Sequence, residues 1–506
     1  MSHRVQRCHR SLCTLGPKKP KSSGGVWFVG GCGAGGVGLA WQDAGHAHIT
    51  REGYAPDRGQ RLDQSGAVMK SRSAFGAPLL AVVVALVCAV VVPAGAAAAV
   101  RVPDWGSTTS HGSRHIVGDV YESLYTVRTG PGEHDKIRLH HVARHEEGKP
   151  VPTRAAVMLL HGDAWGFDAA FMRGSSSPDS LPAYLAASGV DVWGVDLAWT
   201  LVPDDTDNYE FMASWGLQHD VDDLSRALAF ARGVRAATGS GNRALTLAAW
   251  SRGGWIGYSL LNQETQKPRS HRQVGSFVSM DNFFKTNDAH ARAEHCALAA
   301  ENDGYLAAKD FAYDFRGTED IGYLAETDPT GPSPYWGPPY TNLGATLSYA
   351  AAGFQGGTHP FTPWYHFAAG AFPGGDTTRD PVHLRFTDVH AWDDFVMGIG
   401  NFEPVRLQAD TQHITCDDGS TDRFDGHLRD IRVPILYVGA AGGFGTYGVY
   451  SVNQTGSRDK ETIIVRTRPI GQEKQDFGHV DLFYARDAKR YSWQLIAHWL
   501  HEHAGG

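Results

Sequence analysis

From residue 120 onward, short apolar runs alternate with amphipathic stretches, and this rhythm limits the possible folds more than any other feature. "RAAVMLLHG" reads as a buried strand running into a glycine loop, "DSLPAYLAASG" as a helix and "VDVWGVDL" as the next strand. "LQHDVDDLSRALAFARGVRAATG" has apolar residues at helical spacing and stops at a glycine. "RALTLAAW", "RGGWIGYSLLNQET" and "VGSFVSMD" repeat strand, helix and strand. Far downstream, "VPILYVGA" and "ETIIVRTRPI" add strands, and "DLFYARDAKRYSWQLIAHWLHEH" a final helix. Short strands that are apolar on both faces need cover on both faces. The chain is therefore expected to be an α/β protein with a mostly parallel central sheet and helices on either side. Ahead of this core, "SLYTVRTG" and "KIRLHHVAR" flank the turn "PGEHD" and predict an antiparallel hairpin.

The rhythm stops between Asp281 and Val433, where the chain is rich in Gly, Pro and aromatics, as in "GPSPYWGPPYTNLG". That is too long for a structureless loop in a compact domain. The expected organisation is a core of residues 100–281 and 431–506, with residues 282–430 inserted as a cap or lid.

Residues 69–99 open with Lys70 and Arg72, continue with an apolar run from Leu79 to Val92, and end in small residues. This is the form of a secretory signal peptide, and the run is shorter than the ~20 residues a spanning helix needs. The expectation is a secreted protein with no stable membrane anchor. Met69 then becomes the expected start, and residues 1–68 a spurious or disordered extension. Gly31, Gly33 and Gly36 have dinucleotide-motif spacing, but the polar stretch after them lacks the helix and returning strand such a site needs. Beyond residue 98 the chain holds 35 basic and 50 acidic residues, which argues against nucleic acid or anionic membrane as partners. Only Cys296 and Cys416 remain there, and two cysteines in an exported chain predict one disulfide, inside the insertion. No Cys/His cluster with metal-ligand spacing stands out, so neither metal nor cofactor is expected.

The chemistry centres on "LTLAAWSRGGWIGYSLL", which places Ser251 between a strand and a helix. Ala249 lies two residues before it and Gly253 two after, small enough to let the chain turn sharply. The helix N-terminus then points unpaired N–H groups at the place where negative charge would develop. An ordinary helix-capping serine is the alternative reading. Two further motifs fit: the loop in "LLHGDAWG", and His479 in "DFGHVDLFYARDA", between the last strand and the last helix. On these three motifs the chain resembles the α/β-hydrolase superfamily, of the serine esterase and lipase kind, over roughly residues 120–503 apart from the insertion. The resemblance implies Ser251 as nucleophile and His479 as base, with the backbone N–H groups of Asp163 and Arg252 as the oxyanion hole. His161 is expected to hold its loop rather than to take part in chemistry.

The chain departs from the commonest pattern at the third triad member. "VPILYVGAAGGFGTYG", where the acid often follows the strand, has no carboxylate, and the next one, Asp459, comes too late to reach. Some members of the superfamily carry the acid after the preceding strand, which here ends at Asp281. Asp281 is therefore the expected acid; a hinge residue bonding backbone N–H groups is the other reading. Phe283, Phe284, Phe444 and Tyr447 are candidate pocket walls, with core packing equally open.

The expected function is a secreted serine hydrolase that cleaves small-molecule or lipid carboxylic esters through an acyl-enzyme. A peptidase or acyltransferase would carry the same motifs. A non-catalytic binding member of the fold is the alternative of another class, favoured only by the missing carboxylate after "VPILYVGA".

Overall fold

The computed structural model describes residues 107–174, 177–352 and 362–504. The N-terminal extension, the signal peptide and the Gly31–Gly36 motif lie outside the described residues. Eight strands precede the insertion: β1 (Thr108–Val117), β2 (Val120–Arg128), β3 (Lys136–Glu146), β4 (Lys149–Pro150), β5 (Ala156–Leu160), β6 (Asp191–Asp196), β7 (Leu245–Trp250) and β8 (Val274–Met280). The insertion contributes β9 (Ala312–Asp314), β10 (Gly370–Ala371), β11 (His383–Leu384) and β12 (Phe402–Pro404), and the sheet resumes with β13 (Ile435–Ala440) and β14 (Lys460–Val465).

The main sheet runs β1-β2-β3-β6-β5-β7-β8-β13-β14, with β4 paired to β3 off this path. From β6 to β14 every neighbouring pair is parallel. The expected hairpin is present as β2–β3, and β3 meets β6 antiparallel. Every residue of β5, β6, β7 and β13 is buried, which is why these strands read as unbroken apolar runs. β1 is mostly exposed and polar ("TTSHGSRHIV"); as an edge strand it needs no apolar face, and it was not foreseen.

The final helix differs from expectation. It is divided into Asp481–Tyr484, a π-helical turn at Lys489–Trp493, and Gln494–Glu502. At the break, Ala485 bridges Thr387 of the insertion, and the Arg486 N–H donates to the Phe386 carbonyl at 3.0 Å. The Arg173 guanidinium donates to the carbonyls of Tyr484 and Ala485. Backbone groups that a continuous helix would pair internally are thus satisfied from outside.

Residues 282–430 are folded. They form the helices Ala289–Ala307, Glu319–Thr327, Asn342–Ala352, Val389–Met397 and Val405–Cys416, with the small ribbons β9–β12 and β10–β11. The foreseen disulfide is present: Cys296–Cys416 joins the first and last of these helices. Among the described residues, no helix is long and apolar enough to cross a membrane.

Candidate active site

At the end of β7 the chain makes the sharp turn that its small residues foretold. Ser251 has φ +54°, a left-handed conformation that non-glycine residues adopt at a cost of order 1–3 kcal/mol. Its N–H donates to the Met280 carbonyl at 3.1 Å, carrying the sheet pairing into the turn. Glycine permits the close approach of the neighbouring loop. A Cβ on Gly162 would sit 2.6 Å from the Ser251 Cβ, and one on Gly253 would sit 2.4 Å from the His161 carbonyl oxygen. Asn282 braces the same corner, its amide donating to the carbonyls of Ala249 (3.3 Å) and Met280 (3.2 Å).

Asp281 ends β8 with φ +40° and is fully buried. Its Oδ2 accepts from His479 Nδ1 at 2.6 Å. The glycine-rich loop after β13 closes around the same carboxylate: Oδ1 accepts the N–H groups of Ala440 (2.8 Å) and Gly445 (3.0 Å), and Oδ2 that of Phe444 (3.2 Å). A Cβ on Gly443 would lie 2.0 Å from Oδ2, so the loop can wrap this tightly only with glycine there. Asp281 thus bonds backbone amides and engages His479 at the same time. Asp459 sits instead at the start of β14, where its carboxylate lies 3.2 Å from His503 Nε2.

His479 is buried, and its ring stacks on Trp250, the residue before Ser251, with centroids 4.5 Å apart. The Tyr365 and Phe444 rings lie 5.4 and 5.3 Å from it. The loop carrying it is held from the insertion: His479 and Val480 donate their N–H groups to the carbonyls of His366 (3.0 Å) and Phe367 (2.8 Å). The buried Asp481 carboxylate accepts from the Gly478 and Ala369 N–H groups at 2.7 and 2.9 Å.

Asp163 and Arg252 flank the elbow, and their backbone N–H groups make no hydrogen bond among the described residues. Their side chains form an ion pair, Arg252 Nε to Asp163 Oδ1 at 2.8 Å. His161 has the structural role expected of it. Its Nδ1–H donates to the Gly162 carbonyl at 2.9 Å and its Nε2 accepts the Leu197 N–H at 3.2 Å, and burial pushes its pKa down, favouring the neutral ring.

The four aromatic candidates separate. Phe284 is a core residue stacked on Tyr258 of the elbow helix Gly253–Glu264, at 5.1 Å. Phe283, also buried, packs against Trp255, Phe444 and Tyr447. Of the four, Phe444 is the one whose ring meets His479. Sequence reasoning missed Trp250, Tyr365 and Asn282; position next to Ser251 and Asp281 was the available signal for the first and last. Among the described residues, Glu122, His140 and Asp168 bring possible metal-donor atoms within 4.8 Å of one another. Arg114 pairs with Glu122, and His140 is already held by two carboxylates, so this group reads as an ion-pair cluster.

No protein-family model and no curated protein sequence matches the chain. Among solved structures, a candidate lipase from Sulfolobus solfataricus superposes with a TM-score of 0.53 at 17% identity, covering 79% of this chain and 99% of that one. A soluble variant of monoglyceride lipase from Saccharomyces cerevisiae gives 0.41 at 11% identity, over 77% and 94% of the two chains. An esterase from Thermogutta terrifontis gives 0.38 at 10% identity, over 74% and 98%. The parallel sheet, the turn after β7 and the first of these superpositions define an α/β-hydrolase fold.

Proposed function

We propose that this protein is a secreted serine hydrolase that cleaves carboxylic esters through an acyl-enzyme. The observation that carries the reading is the strained Ser251 elbow beside a His479 whose Nδ1 is held by the Asp281 carboxylate. Ser251 Oγ attacks the ester carbonyl while His479 Nε2 takes its proton. The tetrahedral oxyanion is bound by the backbone N–H groups of Asp163 and Arg252. Collapse expels the alcohol, protonated by His479, and water repeats the sequence to release the acid. Asp281 fixes the ring's tautomer and stabilises the imidazolium in both steps. The superposition on a candidate lipase supports an ester substrate, and the segment 69–99 and the disulfide support export.

The test is fluorophosphonate labelling, together with turnover of chromogenic esters of varied acyl length, for the wild type and Ser251→Ala. Ester cleavage and labelling that both vanish in Ser251→Ala support the reading. A wild type that neither labels nor cleaves any ester of the panel refutes it.

A further inference from the structure

We infer that the Asp163 and Arg252 side chains, locked from the insertion by Glu403, Gln408 and Thr411, form a clamp that sets the spacing of the two oxyanion N–H donors. This rests on the hydrolase reading above and assigns positioning roles that the reaction itself does not require of these side chains. The two donors sit on separate loops, one after β5 and one after β7. Nothing in the parallel ladder fixes how far apart those loops stand beyond the last paired residues, Leu160 and Ala249.

The side chains supply that constraint. Arg252 meets Asp163 as a two-pronged fork, Nε to Oδ1 at 2.8 Å and Nη2 to Oδ2 at 3.2 Å. Its remaining donors go to the helix Val405–Cys416: Nη2 to Gln408 Oε1 and Nη1 to Thr411 Oγ1, both at 2.6 Å. Gln408 Nε2 closes the circuit to Asp163 Oδ1 at 3.2 Å and to Glu403 Oε1 at 2.6 Å. Glu403 Oε2 accepts the N–H of Ala164, the residue after Asp163, at 3.2 Å. Ala164 itself has φ +59°, and its carbonyl takes the Gly400 N–H at 2.6 Å.

The titration of the two carboxyl groups is pulled apart. Burial and the adjacent Asp163 push the Glu403 carboxyl well above the carboxylate range. For Asp163, burial works in the same direction, but the Arg252 guanidinium overrides it and keeps the carboxylate ionised. A guanidinium and two carboxyl groups thus share one cluster, with Arg252 and Glu403 buried and the Asp163 side chain 27% exposed. Such a site is costly to desolvate and contributes little stability relative to an apolar core, which makes a positional role a better account of it than a stabilising one.

The experiment compares Asp163→Asn and Gln408→Ala with the wild type in ester turnover, fluorophosphonate labelling rate and thermal melting. A displaced donor lowers kcat and labelling rate by roughly tenfold to a hundredfold, with KM within about threefold. A network that only supports the fold lowers the melting temperature and leaves kcat of the folded protein unchanged. Glu403→Ala, which removes the acceptors of Gln408 Nε2 and of the Ala164 N–H, lowers kcat as the other variants do. Folded Gln408→Ala with wild-type kcat and labelling overturns the inference, and this variant decides alone where Asp163→Asn does not fold. A wild type that fails to label removes the hydrolase reading, and this inference with it. A labelled wild type whose variants label equally fast removes this inference alone.

Discussion

The Asp281 carboxylate reaches His479 Nδ1 across 2.6 Å from the end of β8, one strand away from the position where this fold often carries its acid. The position is possible because β13 pairs directly with β8 and the loop after it presents the bare Gly443 to the carboxylate. The last amide of β13 and two amides of that loop hold the carboxylate that the loop itself lacks. Asp281→Asn keeps the shape but can stabilise the wrong imidazole tautomer. Its kcat/KM on a chromogenic ester is expected to fall on the order of 10⁴-fold, with the protein still folded by circular dichroism. Near-normal turnover would assign the orienting role elsewhere.

Gly443→Ala should act in the same direction while leaving Ser251, His479 and Asp281 unsubstituted. Its new Cβ falls 2.0 Å from Asp281 Oδ2, where neither the buried carboxylate nor the loop can move without breaking their bonds. Activity is expected to drop at least tenfold, by roughly the cost of misplacing a catalytic group. Gly233→Ala is the control: it lies in the helix Leu217–Ala237 with open space around it, and should raise stability by about 0.5–1 kcal/mol. Equal effects of the two substitutions would dismiss the cradle.

The buried His140 predicts an alkaline loss of stability. Its Nδ1 lies 2.7 Å from Glu122 and its Nε2 3.1 Å from Asp196. Burial alone would lower its pKa, but Asp196 and then Glu122 outweigh that and raise it from its ordinary value of 6.5 to about 10. A raised value means the folded state holds the proton more tightly than the unfolded chain. The contribution is therefore complete below pH 6.5 and is lost as the pH climbs through about 10. Denaturant midpoints measured from pH 6 to 10 should decline across that window, and His140→Gln should flatten the decline. An unchanged slope in the variant would refute the assignment.

Removing the Cys296–Cys416 bond frees a segment with 120 residues of sequence separation. The unfolded chain gains conformational freedom, and the double Cys→Ser variant is expected to lose roughly 2–5 kcal/mol of stability. Guanidinium unfolding with and without reductant measures this; a midpoint insensitive to reductant in the wild type would count against it.

The parallel strands were legible because strands buried on both faces must be apolar throughout, and the elbow because its turn demands small residues around Ser251. Element order singled out Asp281 and His479, and the fold brings these two side chains within hydrogen-bond distance. The role of the glycine loop was not legible: its composition excluded an acid, but only folding reveals that its amides converge on one. Glu403, Gln408 and Thr411 were equally hidden. "VRLQADTQHITC" reads like any helix with a solvated polar face, and its partner Arg252 lies more than 150 residues away in sequence. β1 and the interrupted C-terminal helix escaped for a related reason, since edge position and outside partners, not local pattern, decide them.

The contact between the helix Val405–Cys416 and the loop of Asp163 bears on how this scaffold can be re-engineered. An insertion in an α/β-hydrolase fold invites transplantation, in which one inserted segment is exchanged for another. Here the graft point follows directly on Asp281, and the graft carries Gln408 and Thr411, two of the three side chains that bond Arg252. A chimera with a foreign insertion would leave the Arg252 guanidinium with Asp163 alone, next to Ser251. Any workable exchange has to carry Glu403, Gln408 and Thr411 across with the recipient loops, or replace Asp163 and Arg252 at the same time.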